Sequence, residues 1–203
     1  MGYGAEPRHS LFIIHCSLFI NVVPYKAHRL YSTVRKKGEH GMTDRGARAK
    51  ALFYEGYNCS QAVLCAFEDV TGLDRETSAK IASSFGGGMG RLREVCGAVS
   101  GALLVLGIAE GYSDPADPEA KKAHYALVQE FARRFREKNG SIVCRDLLKN
   151  VKTTPGAVPE ARTEEFYKKR PCPELIADAA EIADEMLSEC RGGHDRPQTS
   201  RQK

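Results

Sequence analysis

Four cysteines, Cys59, Cys96, Cys144 and Cys172, lie far apart along this 203-residue chain, and Cys96 opens the run Cys96-Gly97-Ala98-Val99-Ser100-Gly101. Thiolates are the softest ligands and among the best nucleophiles a protein owns. Glycine and alanine beside one allow a second backbone or an inorganic cluster to approach closely. The residue types therefore point to redox or metal chemistry. The spacing excludes several familiar forms of it. There is no C-x-x-C, so thioredoxin-type, zinc-ribbon and ferredoxin-type local patterns are missing, and any shared site has to be assembled by folding.

Three of the four stand at a signal for the start of a helix. Cys59 follows Asn58, whose Asn58-x-x-Gln61 pattern has the outline of a capping box; Cys172 precedes Pro173; Cys144 follows Ser141 within a turn. Cys96 is expected about one turn inside its helix. A helix start presents unpaired N–H groups and the positive end of the macrodipole, both of which stabilise a thiolate. Cys65, six residues after Cys59, falls about 120° away round a helix at 3.6 residues per turn and is expected to face elsewhere. Cys65 and Cys190 are read as ordinary buried thiols. Cys65 is also kept as a candidate resolving thiol. Of six histidines only His124 and His194 lie after Met42, and the pair Cys190-x3-His194 is read as incidental.

The glycine run Phe85-Gly86-Gly87-Gly88-Met89-Gly90 matches neither phosphate-loop spacing, and no strand precedes it. It is expected to bring backbone N–H groups to the Cys96 sulfur and to allow close helix contact. Ser100 and Tyr57 are candidate donors to the cysteines. Arg91 and Arg93 are candidate counter-charges to several thiolates.

The elements that must position these residues read as helical throughout. Ala62, Val63, Ala66, Phe67 and Val70 make one apolar stripe; Ala120, Ala123, Leu127, Phe131 and Phe135 make another; Leu175 to Leu187 makes the clearest. Helices are expected at about 44–56, 59–71, 75–84, 92–109, 118–138, 142–149 and 173–190, with loops over the glycine run and over 150–162. The fold class is all-α, a compact bundle of about six to seven helices.

Residues 1–41 read differently. Leu11 to Val23 is a mostly apolar stretch of 13 residues, short of the roughly 20 needed to span a bilayer, and no small-x-small cleavage site follows. We expect residues 1–41 to be a leader or disordered segment that is not part of the native domain, with Met42 as the natural start, against a rival reading as a membrane-associating or export leader. Residues 42–190 are expected to form the four-cysteine domain and 191–203 a disordered tail. The first 41 residues carry six Lys/Arg against two acids, and the remainder balances at 24 of each. A neutral body argues against a nucleic-acid partner. Seven cysteines, an odd number in a chain large enough to fold without staples, point to a reducing cytoplasm.

Cys59, then Phe85-Gly-Gly-Gly-Met-Gly-Arg91 leading into Cys96-Gly-Ala-Val-Ser-Gly101, then Cys144-Arg-Asp-Leu-Leu148, then Cys172 resembles the C_GCAxxG_C_C family of redox-active proteins, over about Ala47 to Cys190. The chain has cysteine before glycine where the family name has glycine before cysteine. The resemblance implies a small bacterial or archaeal helical protein with Cys59, Cys96, Cys144 and Cys172 as its defining cysteines. Four thiolates are the usual complement of an iron–sulfur cluster, whereas a catalytic dithiol needs two. The expected function is thus electron transfer at one iron–sulfur or other metal site, with an unidentified redox partner protein. The alternatives are a metal-free thiol–disulfide oxidoreductase and a four-cysteine structural or metal-carrying protein holding zinc. No membrane contact is expected for residues 42–203, and an oligomer is compatible with the sequence.

Overall fold

The computed structural model describes residues 44–194, with side chains to Arg191. The expectations for residues 1–41 and for the far C-terminal tail lie outside the described residues. The chain folds into helices α1 (Asp44–Tyr54), α2 (Cys59–Leu64), α3 (Glu68–Thr71), α4 (Arg75–Ala82), α5 (Gly97–Glu110), α6 (Pro118–Asn139), α7 (Cys144–Leu147), α8 (Glu164–Lys169) and α9 (Cys172–His194). Short 3-10 turns at Cys65–Phe67 and Ser83–Phe85 extend α2 and α4. The fold is all-α. Its only pairing outside helices among the described residues is a single antiparallel bridge between Val95 and Val143.

Local chemistry explains the boundaries. Asn58 accepts from the N–H groups of Ser60 and Gln61 while the Gln61 side chain accepts from the Asn58 N–H, which completes the capping box at α2. Asp117 accepts from the Ala120 N–H ahead of Pro118, and α6 stops at Gly140, which adopts φ 85°. Helix α8 was not anticipated, although Thr163 caps it and Glu164 and Glu165 fill its first turn.

The core is a sandwich of helix faces with α9 at its centre, touching α1, α2, α5 and α6. Ile176, Ala179, Ala180, Ala183, Met186 and Leu187 are fully or almost fully buried. Alanine and glycine set how closely the helices approach. A side-chain carbon on Gly101 would lie 2.6 Å from the Ser60 carbonyl oxygen and 3.0 Å from Val63, so α5 rests directly on α2 at this point. Arg45 is buried within α1 and donates to the Ala66 carbonyl (2.6 Å) and to both Asp69 oxygens (2.6 and 2.5 Å), with Asp184 of α9 at 3.7 Å. It ties α1, α3 and α9 together.

The largest departure from expectation lies before α5, which begins at Gly97 rather than near residue 92. Met89, Arg91 and Arg93 have positive φ, as do Gly87, Gly88 and Gly90. The N–H groups of Arg91, Arg93 and Glu94 bond back to the carbonyls of Gly86, Gly87 and Gly88. A left-handed backbone cannot continue into an α-helix, so residues 86–95 form a tight coil instead.

Candidate functional site

The coil at 86–95 sets up the site. By delaying α5 it puts Cys96 at the residue immediately before the helix. Cys59 is the first residue of α2, Cys144 of α7 and Cys172 of α9. All four motif cysteines therefore stand at helix starts, including Cys96, which was expected a turn inside.

These four helix starts meet. Cys59, Cys96, Cys144 and Cys172 together line one cavity of about 290 Å³, closed by the glycine coil on one side and by residues of the 150–163 segment on another. Two contacts show why glycine is required here. A side-chain carbon at Gly97 would collide with the Cys59 sulfur and lie 2.7 Å from the Phe85 carbonyl oxygen; one at Gly88 would lie 2.7 Å from Cβ of Cys144. The Val95–Val143 bridge, with Cys96 N–H bonded to Ile142 O (2.8 Å) and Cys144 N–H to Glu94 O (2.6 Å), fixes Cys96 and Cys144 relative to each other.

Backbone donors reach the sulfurs, but not as expected. The Gly87 N–H points at the Cys59 sulfur, 3.4 Å away, rather than at Cys96. The Cys96 thiolate is favoured instead by the N–H groups of Ala98 and Val99, the first free donors of its own helix. These donors are outweighed. Burial pushes the Cys96 thiol well above its ordinary range, and negative charge on Cys59 adds to this. Burial likewise raises Cys144, again with Cys59 contributing, while the Arg93 guanidinium beside it pulls the other way. Cys172 is pushed up to about 12, first by burial and then by Cys59, against the pull of Arg170. Cys59 is thus the common electrostatic neighbour of the other three.

Sequence reasoning missed most of the charge in this cavity. Arg91 and Arg93 line it as foreseen counter-charges, joined by Arg162, Arg170 and the single carboxylate Glu160. Glu160 is 3.6 Å from both Arg91 and Arg93, pairs with Arg170, and accepts from the Thr154 N–H and hydroxyl (3.0 Å each). Arg91 donates to the carbonyls of Gly156 (2.8 Å) and Thr154 (2.9 Å). These bonds strap the 150–163 segment across the cysteines. The signal was present as Glu160 and Arg162 in a segment expected only to be a loop, with Arg170 just beyond it.

Other candidates lie elsewhere. The buried Cys65 sulfur points at the Arg75 carbonyl (3.8 Å), towards α4. Cys190 is buried near the end of α9, and the side chain of His194 is outside the described residues. Tyr57 lines a separate open groove with Arg75 and Lys80, and neither it nor Ser100 lines the cysteine cavity. His124 contacts the Glu110 carbonyl at the far end of α5. Among the described residues, no group of three or more His, Cys, Asp or Glu side chains is arranged to hold a metal ion.

The family described as "Putative redox-active protein (C_GCAxxG_C_C)" matches residues 57–186, which takes in the four cysteines and the glycine coil. The chain belongs to this family. No curated protein and no solved structure matches it. No helix among the described residues is long and apolar enough to cross a membrane.

Proposed function

We propose that Cys59, Cys96, Cys144 and Cys172 form one redox centre that holds an iron–sulfur cluster and passes electrons to a partner protein in the cytoplasm. The observation that carries this reading is the convergence of four cysteines, from four separate helix starts, on one cavity lined by four arginines and a single glutamate. A catalytic dithiol needs two sulfurs; four match the usual ligand count of a cluster. The donor set fits such a group in type, number and backbone support, since N–H groups at Gly87, Ala98 and Val99 face the sulfurs.

Charge points the same way. Metal-free thiols at Cys96, Cys144 and Cys172 are held protonated by burial, which suits a nucleophile poorly. A bound cation reverses that balance and releases the protons, and the surrounding guanidiniums offset the remaining negative charge of the thiolates. A cluster, when bound, supplies a reversible one-electron couple. The protein's own groups then hold the sulfurs, exclude bulk water and donate hydrogen bonds to them.

The thiol–disulfide reading retains one specific support. No described trio of side chains is set for a single ion, and Cys59 neighbours the other three cysteines, as a shared attacking or resolving thiol would. The same geometry leaves the zinc reading the least supported. Purification without oxygen separates these readings. We expect brown protein containing iron and acid-labile sulfide. Colourless protein with neither, forming a disulfide among the four cysteines on oxidation, would establish the dithiol instead, and stoichiometric zinc would establish the structural reading.

A further inference from the structure

The four arginines of the cavity divide into two kinds. Arg91 bonds to the carbonyls of Gly156 and Thr154 and to the Thr154 hydroxyl, with Glu160 at 3.6 Å, and Arg162 to the Phe53 carbonyl (2.8 Å). They fasten chain segments. Arg93 and Arg170 line the cavity with the four cysteines, and their charge acts on Cys144 and Cys172 respectively. Arg170 is only 8% exposed, its guanidinium lies 4.6 Å from the Phe166 ring centre, and its one charged partner among the described residues is Glu160. The buried Nη2 of Arg93 has no hydrogen-bond partner, and its nearest acid is the same Glu160, 3.6 Å away. Burying a guanidinium is expensive unless its charge is matched. Here both, together with Arg91, share the carboxylate of Glu160, so a surplus positive charge is left facing the cysteines.

We infer that Arg93 and Arg170, held in place by Glu160, are positioning residues that raise the reduction potential of the four-cysteine centre. The inference rests on the preceding reading that these cysteines form a redox centre. An electron entering the centre adds negative charge to the sulfurs, and a guanidinium lining the same cavity stabilises that added charge far better than water at a surface would. The electron comes from a one-electron donor, which is oxidised as the centre is reduced. Glu160 acts in the opposite sense, because its carboxylate opposes the added charge. In a dithiol couple the sign is the same, because a guanidinium favours whatever thiolate the reduced member forms against the burial that opposes it.

The test is a redox titration of the full chain, purified without oxygen and poised with dithionite and mediator dyes, followed by absorbance where the protein is coloured and by thiol labelling with mass spectrometry where it is not. Arg93→Gln is expected to lower the ratio of reduced to oxidised centre about tenfold at fixed potential, equal to about 59 mV for one electron or about 29.6 mV for a two-electron dithiol couple. Glu160→Gln is expected to shift the ratio the other way, and Arg93→Lys, which keeps the charge, to stay near wild type. Opposite signs for the two glutamine variants are not what general loosening of the fold produces. Arg170→Gln is a weaker probe, because it also removes the stacking on Phe166. The inference is overturned if the wild type titrates reversibly and the two glutamine variants shift in the same direction or not at all. A wild type with no reversible couple overturns the underlying reading as well, and that outcome is distinguishable from the first.

Discussion

Cys96 is held by two demands that only small neighbours satisfy together: its sulfur must reach the cavity, and the next residue must let α5 descend onto Cys59. Serine is close to cysteine in volume but a poor soft ligand. Cys96→Ser is therefore expected to abolish bound iron or disulfide cycling while circular dichroism stays near wild type. Cys65→Ser and Cys190→Ser, which alter thiols outside the cavity, are expected to leave metal content unchanged. Loss of the centre in Cys65→Ser to the same extent as in Cys96→Ser would replace the four-cysteine assignment with a Cys59/Cys65 dithiol. Gly97→Ala tests the close approach itself. The added methyl meets the Cys59 sulfur and the Phe85 carbonyl, and overpacking of this kind costs about 1–3 kcal/mol. Denaturant melts should show that loss, accompanied by altered absorbance of the centre.

Among the helices, α1 meets α3 and α9 around a buried charge. Arg45 is 5% exposed and reaches Ala66, Asp69 and Asp184 at once. Removing one member of a buried pair leaves the others uncompensated. Arg45→Ala should thus cost about 3 kcal/mol in a urea melt, by analogy with other broken buried pairs. The same pair predicts an acid limb. Burial alone would raise the Asp69 carboxyl, but the hydrogen bond and charge of Arg45 more than offset it and hold Asp69 below the usual carboxylate range. A carboxyl lowered by folding contributes stability above its unfolded value, near 3.9, and that contribution is lost as pH falls through the folded value. The melting temperature should fall in that acid window, and the part due to this pair should be absent in Asp69→Asn.

For the molecule as a whole, the 150–163 segment supplies one wall of the cysteine cavity, through Ala157, Pro159, Glu160 and Arg162. It carries little secondary structure of its own and is tied down by Arg91, by Arg162 to Phe53, and by the pairs of Glu160. Because these bonds are few and peripheral to the helix core, Arg91→Ala should free the strap without unfolding the bundle. In metal-free protein we expect Cys144 and Cys172 to react several-fold faster with a maleimide, by mass spectrometry, at an almost unchanged melting temperature. Equal rates in variant and wild type would show that the strap does not control access.

Much of this protein was determined by local rules. The capping box at Asn58, the Asp117-Pro118 start, the Gly140 stop and the stripe from Leu175 to Leu187 are short-range patterns, so the all-α class and most helix spans could be read directly. The four cysteines stood out for the same reason, as residue types in unusual settings. Tertiary structure decided the rest. Where α5 begins depends on left-handed turns at Met89, Arg91 and Arg93, which residues other than glycine adopt only when surrounding contacts impose them. Which sulfur receives the Gly87 N–H depends on how α2 packs under the coil. The cavity charges join Arg93 to the distant stretch that carries Glu160, Arg162 and Arg170. Charges on a loop carry no periodicity, so their meeting at the cysteines is a property of the folded chain alone.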